Sequence, residues 1–144
     1  MTNNIQPTVL VIDDDEFQHK LITSVLTAEK YNVISAYSGV AAMTILLRKR
    51  PDLVLMDYHM PDYGGLDVLK KIKDYHHISG VPIIMITGEH TKRVVIDCLS
   101  NGASGFIVKP FTREVLLLKV DTALSINLPE VSVVVENPEI PKAD

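Results

Sequence analysis

The stretch LVLMDYHMP, residues 53–61, runs four apolar side chains straight into Asp57 and closes on a proline. A continuous apolar run bounded by turn formers reads as a strand buried on both faces. A carboxylate is costly to bury, so one at the edge of a core needs a partner or a chemical task. Comparable runs lie to either side. Residues 8–13 (TVLVID), 81–87 (VPIIMIT) and 105–110 (GFIVKP) read as apolar strands, and residues 32–37 (NVISAY) alternate like one. Between them the apolar period becomes helical. Residues 16–29 place Phe17, Leu21, Val25 and Leu26 at helical spacing. A second helix opens at a Ser38 cap and carries Ala42, Ile45 and Leu46 on one face. Leu66, Leu69 and Ile72 mark a third. Residues 91–101 form a fourth, stopped at Asn101 and Gly102, and residues 112–125 a fifth. Strict alternation of apolar strands with helices implies a parallel sheet covered on both faces by right-handed crossovers. The fold class expected is a doubly wound α/β domain: five strands in order 2-1-3-4-5 with five helices.

Composition narrows the class of function. The chain has 144 residues, 47% hydrophobic and 22% charged, enough for one domain with its own core. A net charge of −4 argues against nucleic acid or an anionic membrane surface as the main partner. The single cysteine, Cys98, excludes an internal disulfide and fits a reducing compartment. No basic, apolar leader opens the chain and no run is long enough to span a bilayer, so a cytoplasmic protein is expected. From residue 128 the composition shifts to prolines and acidic residues. Residues 1–127 are therefore expected to form the domain and 128–144 a tail or linker, with VSVVV at 131–135 as the one segment of strong β preference. Met1 reads as a natural start, whereas nothing tests the end.

In open α/β sheets, functional groups gather at the carboxyl ends of the strands. The first strand delivers Asp13, Asp14 and Asp15, the third Asp57, the fourth Thr87 and the fifth Lys109. If the strand order is 2-1-3-4-5, strands 1 and 3 are neighbours, and Asp13, Asp14 and Asp57 share one small pocket with Thr87 and Lys109 alongside. Carboxylates so close repel and call for cations. A hard divalent ion such as Mg²⁺ takes carboxylate, carbonyl and water oxygens and leaves positions for a phosphate oxygen. Lys109 adds a fixed positive charge and Thr87 a hydroxyl. This set suits a phosphoryl group held against a carboxylate nucleophile, because phosphoryl transfer asks mainly for positioning and charge neutralisation. Asp15 reads as a helix N-cap instead.

VLVIDDD, PDLVLMDYHMPDYGGLDVL, PIIMITG and GASGFIVKPF occur in that order over about residues 8–125. In these motifs the chain resembles the receiver domain of two-component response regulators, in the compact chemotaxis-type, flavodoxin-like layout. The resemblance implies that Asp57 accepts a phosphoryl group from a phosphohistidine on a sensor histidine kinase or a histidine phosphotransfer protein. It implies Mg²⁺ held by Asp13, Asp14, Asp57 and the backbone carbonyl of His59. It implies that Lys109 contacts the phosphoryl oxygens and precedes a cis bond to Pro110. Thr87 and Phe106 become the switch pair, altering the face built from the fourth helix, fifth strand and fifth helix toward a downstream protein or output domain. His59 and Glu89 stand where the family tunes phosphoryl lifetime, although His59 also reads as an exposed loop residue. Phenylalanine, not tyrosine, occupies the switch position, so it lacks a hydroxyl to offer a partner.

Other functions fit these residues less well. A haloacid-dehalogenase-type phosphatase would use Asp13 of DDDEF as nucleophile. Its motif normally continues differently, however, and the chain has little room for a cap. Catalysis beyond self-phosphorylation and autodephosphorylation is therefore not expected. A flavin site is disfavoured because carboxylates at the first β-α loop would repel a phosphate. No helix-turn-helix pattern follows residue 128, so direct nucleic-acid binding is not expected. Homodimerisation through the switch face is the remaining association suggested by the family and by VSVVV. Adjacent histidines in DYHH (74–77) read as solvated, Arg48, Lys49 and Arg50 as complementing a helix dipole, and Cys98 as packing.

Overall fold

Strand and helix alternate throughout residues 6–126, the part of the chain described by the structure, a computed structural model. The order is β1 (Thr8–Ile12), α1 (Glu16–Ala28), β2 (Asn32–Ala36), α2 (Gly39–Leu46) and β3 (Leu53–Asp57). It continues with α3 (Gly65–Asp74), β4 (Ile83–Thr87), α4 (Lys92–Ser100), β5 (Gly105–Val108) and α5 (Arg113–Ile126). All strands pair in parallel, in the order β2-β1-β3-β4-β5. The expected fold class is therefore the observed one. The expected tail at 128–144, including 131–135, lies outside the described residues. Among the described residues no helix is long and apolar enough to cross a membrane.

The apolar strands supply two cores, one per sheet face, because successive side chains point to opposite sides. Leu10, Ile12, Val54, Met56, Ile83 and Met85 meet α2, α3 and α4 through residues such as Leu46, Leu69, Ile72 and Cys98. Val9, Val11, Leu53, Leu55, Ile84 and Ile86 meet α1 and α5 through Ile22, Leu26, Leu116 and Val120. Cys98 is fully buried, as expected of a packing residue, and burial pushes its thiol pKa up.

Three local expectations are corrected. The inward stripe of α1 is His19, Ile22 and Leu26, whereas Phe17 is 72% and Leu21 42% exposed. Of the four apolar residues at helical spacing, Leu26 is buried and Val25 packs against the core, while the stripe is completed by a buried histidine that apolar counting does not mark. Arg48, Lys49 and Arg50 lie beyond the end of α2, whose last turn has no basic residue. Arg50 instead donates from Nε to the His77 carbonyl at 3.0 Å. His77 is not merely solvated. Its Nε2 donates to the Leu46 carbonyl at 3.1 Å, satisfying an end group of α2. Asp13, Tyr37, Val81, Pro82, Lys109 and Pro110 also fall just outside their strands, as end residues commonly do.

Candidate phosphoryl-acceptor site

The site forms where β1, β3, β4 and β5 end. The β1–β3 pairing sets Ile12 opposite Met56, so Asp13 and Asp57 emerge side by side. Asp13, Asp14 and Asp57 each offer a carboxylate oxygen, and these atoms all lie within 4.8 Å of one another. Asp13 and Asp57 are buried and Asp14 is exposed, so the cluster has a closed floor and an open side. Asp13 Oδ1 accepts the Asp15 N–H at 2.9 Å, leaving its other oxygen toward the cluster. Asp15 itself caps α1, accepting the Phe17 N–H at 2.9 Å, as its sequence position suggests.

Lys109 follows β5 and reaches back across the sheet end. Its Nζ lies 2.9 Å from Asp57 Oδ1 and 3.9 Å from Asp13 Oδ2. Burial raises the Asp57 pKa above its ordinary value, and the bond and charge of Lys109 oppose that rise without cancelling it. Burial likewise raises Asp13, with Asp57 adding repulsion, against the pull of the Asp15 N–H and Lys109. The Lys109–Pro110 bond is cis, as the family resemblance implied.

Thr87 ends β4, is fully buried, and accepts the Glu89 N–H on Oγ1 at 2.9 Å. That hydroxyl therefore keeps its own hydrogen to donate elsewhere. Phe106 is half-buried, opposite Met85 in the β4–β5 ladder and against the core on the α2, α3 and α4 side. His59 and Glu89 are exposed at the mouth, where His59 Nε2 lies 2.7 Å from Glu89 Oε1. The seven side chains singled out at or beside the pocket thus lie around one sheet end. Phe106 lies two residues back from Val108 on β5 and packs against the core on the α2, α3 and α4 side.

Sequence reasoning missed the residues that hold this geometry. Gly65 donates its N–H to the Tyr58 carbonyl at 2.8 Å, and a Cβ there would overlap the Asp57 carbonyl oxygen. Only glycine permits the start of α3 to approach the Asp57 backbone so closely. Asp62 reaches from the β3–α3 loop to α2, accepting the Gly39 N–H at 3.1 Å and the Val40 N–H at 3.0 Å. Ser38 accepts the next one, from Ala41, so α2 is capped by two side chains from different elements. The GG and DYGG letters marked a loop, but nothing in them disclosed these long-range contacts.

Residues 9–121 match the family described as response regulator receiver domain. The chain is 38% identical over 121 residues to the chemotaxis protein CheY1 of Helicobacter pylori, covering 83% of this chain and 98% of that one. It is 32% identical to the probable transcriptional regulatory protein TcrX of Mycobacterium tuberculosis, covering 81% of this chain and 49% of that one. The chain thus spans about half of TcrX, and 25% of the response regulator PleD of Caulobacter vibrioides. Among solved structures, the chemotaxis response regulator CheY4 of Vibrio cholerae superposes with a TM-score of 0.80 at 28% identity, over 83% of this chain and 100% of that one. These findings set the phosphatase reading aside, since the family is not one of ordinary enzymes. The chain belongs to the response regulator receiver domains of two-component signal transduction.

Proposed function

We propose that the protein is a phosphoacceptor switch in which Asp57 takes a phosphoryl group from the phosphohistidine of a sensor kinase or phosphotransfer protein. The supporting observation is the 2.9 Å approach of Lys109 Nζ to Asp57 Oδ1 inside a cluster of three carboxylates. The Asp57 carboxylate attacks phosphorus, the bond from phosphorus to the donor's imidazole nitrogen breaks, and an acyl phosphate forms on Asp57. The imidazole nitrogen leaves with the bonding electron pair and then takes a proton. Lys109 faces the charge on the phosphoryl oxygens, and Thr87 turns its free hydrogen toward one of them.

The donor set fits Mg²⁺: hard oxygens only, closely spaced, with two buried carboxyls whose burial and mutual repulsion favour a nearby cation. Asp13, Asp14, Asp57 and the His59 carbonyl would hold it. When bound, the ion neutralises charge on the carboxylates and the incoming phosphoryl oxygens.

Movement of Thr87 toward the phosphoryl group opens space behind it for Phe106, and the α4–β5–α5 face changes its preference for a downstream protein or output domain. His59 and Glu89, joined across the mouth, set how readily water reaches the acyl phosphate. The phosphorylation and the slow hydrolysis are self-catalysed, and the output is binding. The receiver unit runs over residues 1–127 and 128–144 serves as tail or linker, in keeping with a family match that ends at residue 121.

The test is incubation with acetyl phosphate and Mg²⁺, read by intact mass, on wild type and Asp57→Asn. The wild type is expected to gain one phosphoryl group only with metal, and the variant none. An adduct of equal yield on Asp57→Asn would overturn the assignment.

A further inference from the structure

Behind the acidic cluster lies a side chain that the phosphoryl chemistry leaves unused. His19, on the inner face of α1, is 2% exposed. Its Nε2 lies 2.7 Å from the Asp13 carbonyl oxygen and 3.1 Å from the Ala36 carbonyl oxygen. Both neighbours are acceptors, so Nε2 carries the hydrogen and shares it between the ends of β1 and β2. The Asp13 N–H donates to the same Ala36 carbonyl at 3.1 Å. The main chain of Asp13 is therefore held on both sides, its N–H by Ala36 and its carbonyl by His19. The Tyr37 ring lies on the imidazole at 4.0 Å between centroids and closes the arrangement from outside.

The other ring nitrogen, Nδ1, is buried with no hydrogen-bond partner among the described residues. An orphaned buried acceptor costs free energy that an aliphatic side chain in the same place would not. Packing alone does not account for an imidazole here; the N–H delivered to Asp13 does. Without it the Asp13 carbonyl would be a buried acceptor lacking its donor, and the backbone would turn to find one. Asp13 has little freedom to compensate, because its Oδ1 is already held by the Asp15 N–H.

We propose that His19 is a positioning residue for Asp13, setting the direction of that carboxylate within the divalent-cation site through the backbone bridge between β1 and β2. This rests on the functional reading above, that the three carboxylates hold Mg²⁺. Groups behind the ligands of a metal commonly change its affinity by about 10-fold or more when removed.

The test compares wild type, His19→Leu and His19→Gln. Leucine fills the space without a donor, and glutamine can place an amide N–H where Nε2 stands. Mg²⁺ affinity is read by calorimetry, the Mg²⁺ dependence of phosphorylation by acetyl phosphate by intact mass, and folding by denaturant unfolding. His19→Leu is expected to weaken Mg²⁺ binding about 10-fold. Its phosphorylation rate at saturating Mg²⁺ should stay near that of wild type, and His19→Gln should recover most of the affinity. Wild-type Mg²⁺ affinity in His19→Leu, or no recovery in His19→Gln, overturns the proposal.

Should His19→Leu fail to fold, the wild type answers by proton NMR. The His19 Nε2–H is expected to become more protected from exchange in step with Mg²⁺ occupancy, and unchanged protection overturns the proposal. A wild type that neither binds Mg²⁺ nor gains phosphate removes the functional reading and this proposal together. A wild type that does both while His19→Leu matches it removes this proposal alone.

Discussion

The two halves of the site are built differently. On the β1–β3 side, Asp13 and Asp57 are buried, and their surroundings are cross-tied by backbone bonds: Asp13 N–H to Ala36, Tyr58 N–H to Ile86, Gly65 N–H to Tyr58. On the β4–β5 side, Thr87 is buried, but Phe106 is only half-covered. β5 is a four-residue edge strand, and its last residue, Val108, is 39% exposed. An edge strand has sheet bonds on one flank only, so moving it breaks fewer of them. The difference teaches a division of labour. Central strands hold the acidic floor still, as the proposed phosphoryl transfer requires, and the edge strand keeps the freedom that the proposed switch requires.

The largest expected effect comes from intruding on the floor. Gly65→Ala forces a methyl group against the Asp57 carbonyl, and overpacking of this kind costs about 3 kcal/mol. Urea unfolding should show that loss, and the yield of phosphorylated protein should fall with it because Asp57 must shift. If stability fell while phosphorylation held, the floor would be less rigid than its bonds imply.

Phe106→Ala strikes the adaptable edge instead. A fully buried Phe→Ala change costs about 3–5 kcal/mol, so the half-buried ring should cost about 2 kcal/mol. Phosphorylation by acetyl phosphate should remain near the wild-type rate, since the ring packs against the core and supplies no polar group to the transfer. A large loss of rate in this variant would erase the distinction between the two halves.

The smallest effect sharpens the comparison by tuning the floor from its rim. The Val40 N–H, seconded by that of Gly39, pulls the Asp62 pKa below the ordinary carboxylate value. A carboxylate whose folded pKa is depressed stabilises the protein above its unfolded pKa, and the gain is lost as pH falls through the folded value. Asp62→Ala should therefore cost about 0.5 kcal/mol at neutral pH, the low end for a helix cap because the group is exposed. The difference from wild type should vanish in acid. An equal difference at both ends of the titration would show that packing of the loop, not the charge, is responsible.

The alternation of apolar strands and helices by itself determined the architecture, because continuous burial on two faces leaves a parallel, doubly wound sheet as the arrangement that satisfies both the pattern and the crossovers. With the strand order β2-β1-β3-β4-β5 the strand ends meet: Asp57 and Thr87 close their strands, and Asp13, Asp14 and Lys109 directly follow theirs. Asp15 and Ser38 were legible as caps for the same local reason.

Tertiary structure decided what depends on residues far apart in the chain. It turned α1 so that His19 faces the core and Phe17 the solvent, and it carried Asp62 to the start of a helix two elements earlier. It also set Gly65 against the Asp57 backbone. Periodicity reports how often a face recurs and not which neighbour covers it. A hydrogen bond between distant elements leaves no spacing in the sequence to read.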